Sequence, residues 1–174
     1  PFHDPEGMTG EEAAQRAITY MEKRIGGKNL AAVVIEPIQG EGGFIVPAPS
    51  FLKTLSQWTH ANGIVLVADE VQAGIARTGK WFASEYEEGF EPDLMTIAKG
   101  IAGGMPISAV TGRAEIMDSS HPGGIGGTFG GNPVAAAAAV SVLKQIEAGG
   151  VLEKAIHIEN VMKPRLLDLK AKYP

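Results

Sequence analysis

The sequence predicts an α/β domain with a mainly parallel sheet flanked by helices, and three observations carry that prediction. Residues 64–67 and 94–98 are short apolar runs without polar alternation, the pattern of strands covered on both faces. A third run at 31–35 is joined to the first by an amphipathic helical stretch, making a βαβ unit whose crossover should be right-handed. Each run leads into a charged residue, Glu36, Asp69 or Lys99, and ligands of open α/β sheets bind beyond the carboxyl ends of strands.

In chain order, residues 1–8 read as a loop. Thr9 with Glu12 forms a capping-box signature, and Ala13, Ala14, Ala17, Ile18 and Met21 continue one apolar helical face until Gly26-Gly27. The run at 31–35 reads as a buried strand that ends at Glu36, because Pro37 has no N–H for the ladder. The Gly-rich turn at 40–43 lets backbone approach a ligand closely. Ser50 is the expected N-cap of a helix through His60, with Leu52, Leu55 and Trp58 on one face and Asn62-Gly63 as its stop.

Residues 73–93 form a loop with a short helix at 82–87. Another strand is expected at 107–111 and a short helix at 113–118, before a glycine-rich stretch at 123–131 that holds no regular structure. Asn132 then caps, and Pro133 opens, an alanine-rich helix to about Ala148, whose alanines at 135–139 suit close packing on a sheet. From Val151, apolar residues at spacings of three and four (Ala155, Ile158, Met162, Leu166, Leu169) predict a helix with a buried face, kinked at Pro164.

Composition narrows the function. The 174 residues include 44% hydrophobic and 20% charged side chains, ordinary for one globular domain. A net charge of −5 with interspersed signs gives no footprint for nucleic acid, so small molecules and copies of the chain are the expected partners. Zero cysteines rule out a disulfide framework. No stretch approaches the ~20 apolar residues of a membrane span and no signal peptide shows, so the cytoplasm is the expected location. His3, His60, His121 and His157 lack metal-ligand spacing and are read as structural or exposed, with no metal expected.

The chemistry rests on Asp69 and Lys99, thirty positions apart and both at strand ends. A lysine at a water-poor sheet edge loses its proton well below its free value of ~10.4 and becomes a nucleophile. A lysine that forms a Schiff base and a carboxylate that keeps a pyridine nitrogen protonated are what a pyridoxal phosphate site requires. Taken singly, Lys99 could be a surface lysine and Asp69 a turn cap.

Longer segments resolve those alternatives. IEPIQGEGGF (35–44), VADEVQAGIARTGKWFASE (67–85), PDLMTIAKGIAGGMPISAVTGR (92–113) and GGTFGGNP (126–133) resemble the class III pyridoxal-phosphate-dependent aminotransferases, across essentially the whole chain after Leu30. The resemblance implies the large domain of fold-type I enzymes, with residues 1–150 as its central part and 151–174 as a helix leading toward a smaller C-terminal domain. It makes Lys99 the Schiff-base lysine and proton carrier, and Asp69 the pyridinium partner. Val71 would pack on the cofactor ring and Gln72 would donate to its phenolic oxygen. Thr128 would bind the cofactor phosphate of a neighbouring subunit, which implies a homodimer with shared sites. Glu41 would pair with a movable arginine and Glu36 would orient another that holds substrate carboxylate.

The activity implied is ping-pong transfer of an amino group from an ω-amino acid such as 4-aminobutyrate to 2-oxoglutarate, giving the semialdehyde and glutamate. A class III enzyme acting on ornithine, acetylornithine or a related amine, or an aminomutase, is the nearest alternative. A noncatalytic nucleotide-binding domain and a relic without cofactor are the others. The family's upstream phosphate loop, ring-stacking aromatic residue and substrate arginine have no match in these residues, so the chain is expected to be an internal fragment without activity alone. Ala76 stands where the family often has glycine before Arg-Thr-Gly, so a different local turn is expected there.

Overall fold

The computed structural model describes residues 7–173. His3, and most of the loop expected at 1–8, lie outside them. Four strands form one sheet in the order β1-β2-β3-β4: β1 (Ala32–Ile35), β2 (Val65–Asp69), β3 (Leu94–Ile97) and β4 (Ala109–Gly112). β1, β2 and β3 run parallel, and β4 returns antiparallel to β3. The carboxyl ends of β2 and β3 therefore open on one edge, with Asp69 in register with Thr96.

Helix α1 (Gly10–Arg24) begins with the expected capping box, Thr9 Oγ1 accepting from Glu12 N at 3.2 Å and Glu12 Oε2 from Thr9 N at 2.9 Å. It lies against α2 (Phe51–Ala61). Their buried faces, Ala13, Ala14, Ile18, Phe51, Leu52 and Leu55, join Leu66, Ala68 and Phe90 in one core cluster. Helix α4 (Pro133–Glu147) starts as its sequence predicts, with Asn132 Oδ1 accepting from Val134 N and Ala135 N and Pro133 in the first turn. Ala139 and Ile146 of α4 share a second cluster with Ile97, Ile101 and Ala102. The closest support of α4 is the 3₁₀ turn Lys99–Ala102 that follows β3, so the alanine-rich helix backs the lysine-bearing turn itself.

Several expectations are corrected. β1 is not a buried strand: it is an edge strand with no described neighbour on its outer side, and Val34 is 64% exposed. Ser50 does not cap α2 through its side chain, because its backbone is left-handed (φ 73°). The short helix at 82–87 is a 3₁₀ turn, Ala83–Tyr86. Helix α3 is one turn, Ala114–Met117. Helix α5 (Val151–Lys172) runs unbroken through Pro164, but none of its residues is buried, and Ile158, Met162, Leu166 and Leu169 face solvent because no described segment covers them. No single described helix is long and apolar enough to cross a membrane.

Candidate active site

β2 delivers Asp69 and Glu70 to the edge on opposite sides of the strand, as pleating requires. Asp69 is half-buried, and its Oδ1 accepts from Val71 N at 3.0 Å and Thr96 Oγ1 at 3.1 Å. It does cap the turn that follows, as an isolated aspartate often does. Both bonds fall on Oδ1, however, and Asp69 also lines an open cavity of about 330 Å³ with Val34, Ile35, Glu36 and Gln39. One carboxylate oxygen is thus committed to the fold, while the other has no described partner.

Lys99 follows β3 by two residues and adopts φ 49°, a left-handed conformation that costs an L-residue about 1–2 kcal/mol. Ile101 and Ala102, buried in the second cluster, hold the turn that imposes it. The Lys99 Nζ donates to Gln72 Oε1, and Gln72 Nε2 donates to Glu41 Oε1 at 3.0 Å. Lys99 is exposed, since no described segment covers this edge; the water-poor setting expected for it is not found here.

The Gly-rich turn at 40–43 lies beside these groups. It is closed by paired hydrogen bonds between Gln39 and Ile45 at 3.0 and 2.9 Å, and Glu36 Oε1 accepts from Gly40 N at 3.1 Å. A Cβ on Gly40 would come within 2.5 Å of Gln72 Cγ, so glycine here admits the glutamine side chain.

The structure therefore brings Glu36, Glu41, Asp69, Val71, Gln72 and Lys99 to one edge. It does not bring Thr128 there. Thr128 is exposed in the glycine-rich loop and lines a separate cavity of about 720 Å³ with, among others, Ile107, Ala109, Ile125 and Phe129. Ala76 adopts a left-handed backbone (φ 65°), a conformation that favours glycine, so alanine carries strain in this turn.

Two groups went unread in the sequence. Glu70 is fully buried and accepts from Ala83 N (3.1 Å), Ser84 N (2.7 Å) and Ser84 Oγ (2.5 Å), tying the Ala83–Tyr86 turn to the end of β2. An acidic residue directly after an apolar strand, followed by a serine-bearing turn, was the available signal. At the opposite edge, Asp93 accepts from Leu66 N (2.8 Å) and Arg113 Nη1 (2.9 Å), with His60 Nε2 at 3.6 Å. Burial pushes the Asp93 carboxyl up, but the Leu66 N–H, the Arg113 hydrogen bond and the nearby positive charge outweigh it and hold it below the usual carboxylate range.

The three parallel strands place an aspartate and a lysine on adjacent strand ends, and a carboxamide joins the lysine to a glycine-rich turn, the arrangement of an α/β domain with a ligand site at its sheet edge. The profile described as aminotransferase class-III matches residues 1–174, and the chain belongs to that family. It is 59% identical over 164 residues to the 4-aminobutyrate aminotransferase of Mycobacterium tuberculosis, covering 93% of this chain and 36% of that protein. It is 49% identical over 146 residues to the 5-aminovalerate aminotransferase of Pseudomonas aeruginosa, covering 84% of this chain and 34% of that one. Among solved structures, acetylornithine aminotransferase from Elizabethkingia anophelis superposes with a TM-score of 0.79 at 39% identity, over 93% of this chain and 39% of that chain. The chain thus spans little more than a third of the length of these relatives.

Proposed function

We propose that the protein carrying this sequence is a pyridoxal-phosphate-dependent aminotransferase that moves the amino group of an ω-amino acid, 4-aminobutyrate above all, to 2-oxoglutarate. The observation that carries this reading is the placement of Lys99, Asp69 and Gln72 at one sheet edge, with Lys99 and Gln72 in contact. The donor set fits the group: an amine for its aldehyde, a carboxylate with one uncommitted oxygen for its ring nitrogen, and a carboxamide for its phenolic oxygen. When bound, the cofactor supplies a carbonyl that takes up the amino group and a ring that accepts the electron pair released at the substrate carbon.

The remaining work falls to side chains of this chain. Asp69, a carboxylate fixed by the Val71 amide and the Thr96 hydroxyl, would keep a proton on the ring nitrogen of the bound cofactor. Lys99 Nζ would hold the cofactor's aldehyde and, as a free amine, would take the proton from the amino-bearing carbon of the substrate. Val71 packs on the ring. Glu36 and Glu41 supply charge beside the substrate carboxylate and its arginine partners, which lie in other parts of the protein. Residues 1–150 belong to the cofactor-binding domain and 151–174 lead to a second one.

A second copy completes the site through Thr128. Phe129 (80% exposed) and Ile125 (67% exposed) flank it and support burial of this loop against a partner. The likeness to a 5-aminovalerate aminotransferase favours a donor one methylene longer as the second reading. Relative turnover of 4-aminobutyrate and 5-aminovalerate by the full-length protein separates the two.

The first test is to add pyridoxal phosphate to the full-length protein, reduce with borohydride and map the added mass. Mass on Lys99, absent in Lys99→Ala, is the expected result. A folded protein with no adduct would overturn the reading.

A further inference from the structure

Glu41, Gln72 and Lys99 form one continuous chain of hydrogen bonds, in which Gln72 Nε2 donates to Glu41 Oε1 at 3.0 Å and Lys99 Nζ donates to Gln72 Oε1. A carboxamide has one donating and one accepting end, whereas a carboxylate only accepts and an ammonium only donates. Glu41 therefore decides which way the carboxamide points: it takes the NH₂ end and leaves the carbonyl for the amine. The stem of Gln72 is held as well, packed where a Cβ on Gly40 would lie, and Gly40 is itself anchored by its N–H on Glu36.

We propose that Glu41 is a positioning residue that acts through Gln72 to hold the Lys99 amine at the sheet edge in the cofactor-free protein. An exposed lysine has four rotatable bonds and samples many rotamers, and a fixed acceptor removes most of that freedom before the reaction begins. The acceptor is strengthened because donation to a carboxylate polarises the amide carbonyl. Without Glu41 the carboxamide is free to turn over and present its NH₂ to the amine, donor against donor. The relevance of this to catalysis rests on the reading of Lys99 as the cofactor-bearing residue.

The test uses the full-length protein, freed of cofactor, as wild type, Glu41→Ala and Glu41→Gln. Trace acylation with acetic anhydride and peptide mapping gives the reactivity of Lys99 relative to the exposed Lys144 and Lys154 of the same molecule. An amine engaged with Gln72 acylates slowly, so Glu41→Ala is expected to raise the Lys99 ratio about three- to tenfold, the scale of one lost hydrogen bond. Glu41→Gln keeps an acceptor oxygen and should stay within about twofold of wild type. In the same proteins, reductive capture of pyridoxal phosphate on Lys99 should slow in Glu41→Ala, opposite in direction to acylation. An unchanged acylation ratio in Glu41→Ala overturns the proposal whatever the cofactor does. Equal ratios in the Ala and Gln variants would trace the effect to charge alone and overturn it too. A raised ratio with no cofactor capture on wild-type Lys99 would keep the relay and remove the transaminase reading.

Discussion

At Glu70 a carboxylate with no exposed surface accepts three hydrogen bonds from the Ala83–Tyr86 turn. Glu70→Gln replaces one accepting oxygen with an NH₂ that meets donors, which should cost about 2–3 kcal/mol, read from the urea midpoint of unfolding. Asp93 makes a different prediction. Its carboxyl titrates below the ordinary range in the folded state, so its contribution is fully present above the unfolded value of about 3.9 and is lost as pH falls through the lowered folded value. The stability advantage of wild type over Asp93→Asn should therefore be largest near neutrality and shrink below about pH 4, which denaturant titrations at several pH values will show. Asp69 and Lys99 were legible in the sequence because strand ends follow from a one-dimensional apolar pattern. Glu70 was not, since its partners lie 13 and 14 positions on and only the tertiary path of the loop brings them back. The Gln72–Glu41 pairing, across 31 positions, was hidden for the same reason.

Among the elements, α1 and α2 meet closely at Gly10, where a Cβ would lie 1.9 Å from Pro49 O and 2.6 Å from Phe51 N. Backbone cannot yield as a side-chain tip does, so Gly10→Ala should force the helices apart and cost about 1–3 kcal/mol, visible as a lowered Tm. Element types were largely readable: the capping box at Thr9, the Asn132-Pro133 start of α4 and the buried run of β2 are local signals. Ser50 misled because cap residues are recognised by type alone, whereas capping also needs an extended backbone that this serine lacks. β1 and α5 misled in another way. Apolar spacing states which face seeks cover, and it does not say that a described neighbour provides it.

For the whole molecule, the exposed Phe129 and Ile125 beside Thr128 make association the testable property. If a second copy covers this loop as proposed, Phe129→Asp in the full-length protein should leave the protomer folded and lower its association state in light scattering, because a charge is strongly disfavoured at an apolar contact. The parallel sheet with its antiparallel fourth strand was only partly foreseen, since direction depends on how long each connection is and on where it packs. That fourth strand has a wider effect. β3 and β4 pair with each other, and Arg113 returns to Asp93 through both backbone and side chain. The excursion that carries Lys99 is thereby a loop sealed by its own two ends, only 20 positions apart. Closing so short a loop costs little chain entropy, so Lys99 belongs to a unit that can assemble ahead of the longer-range contacts that bring Glu41 to it.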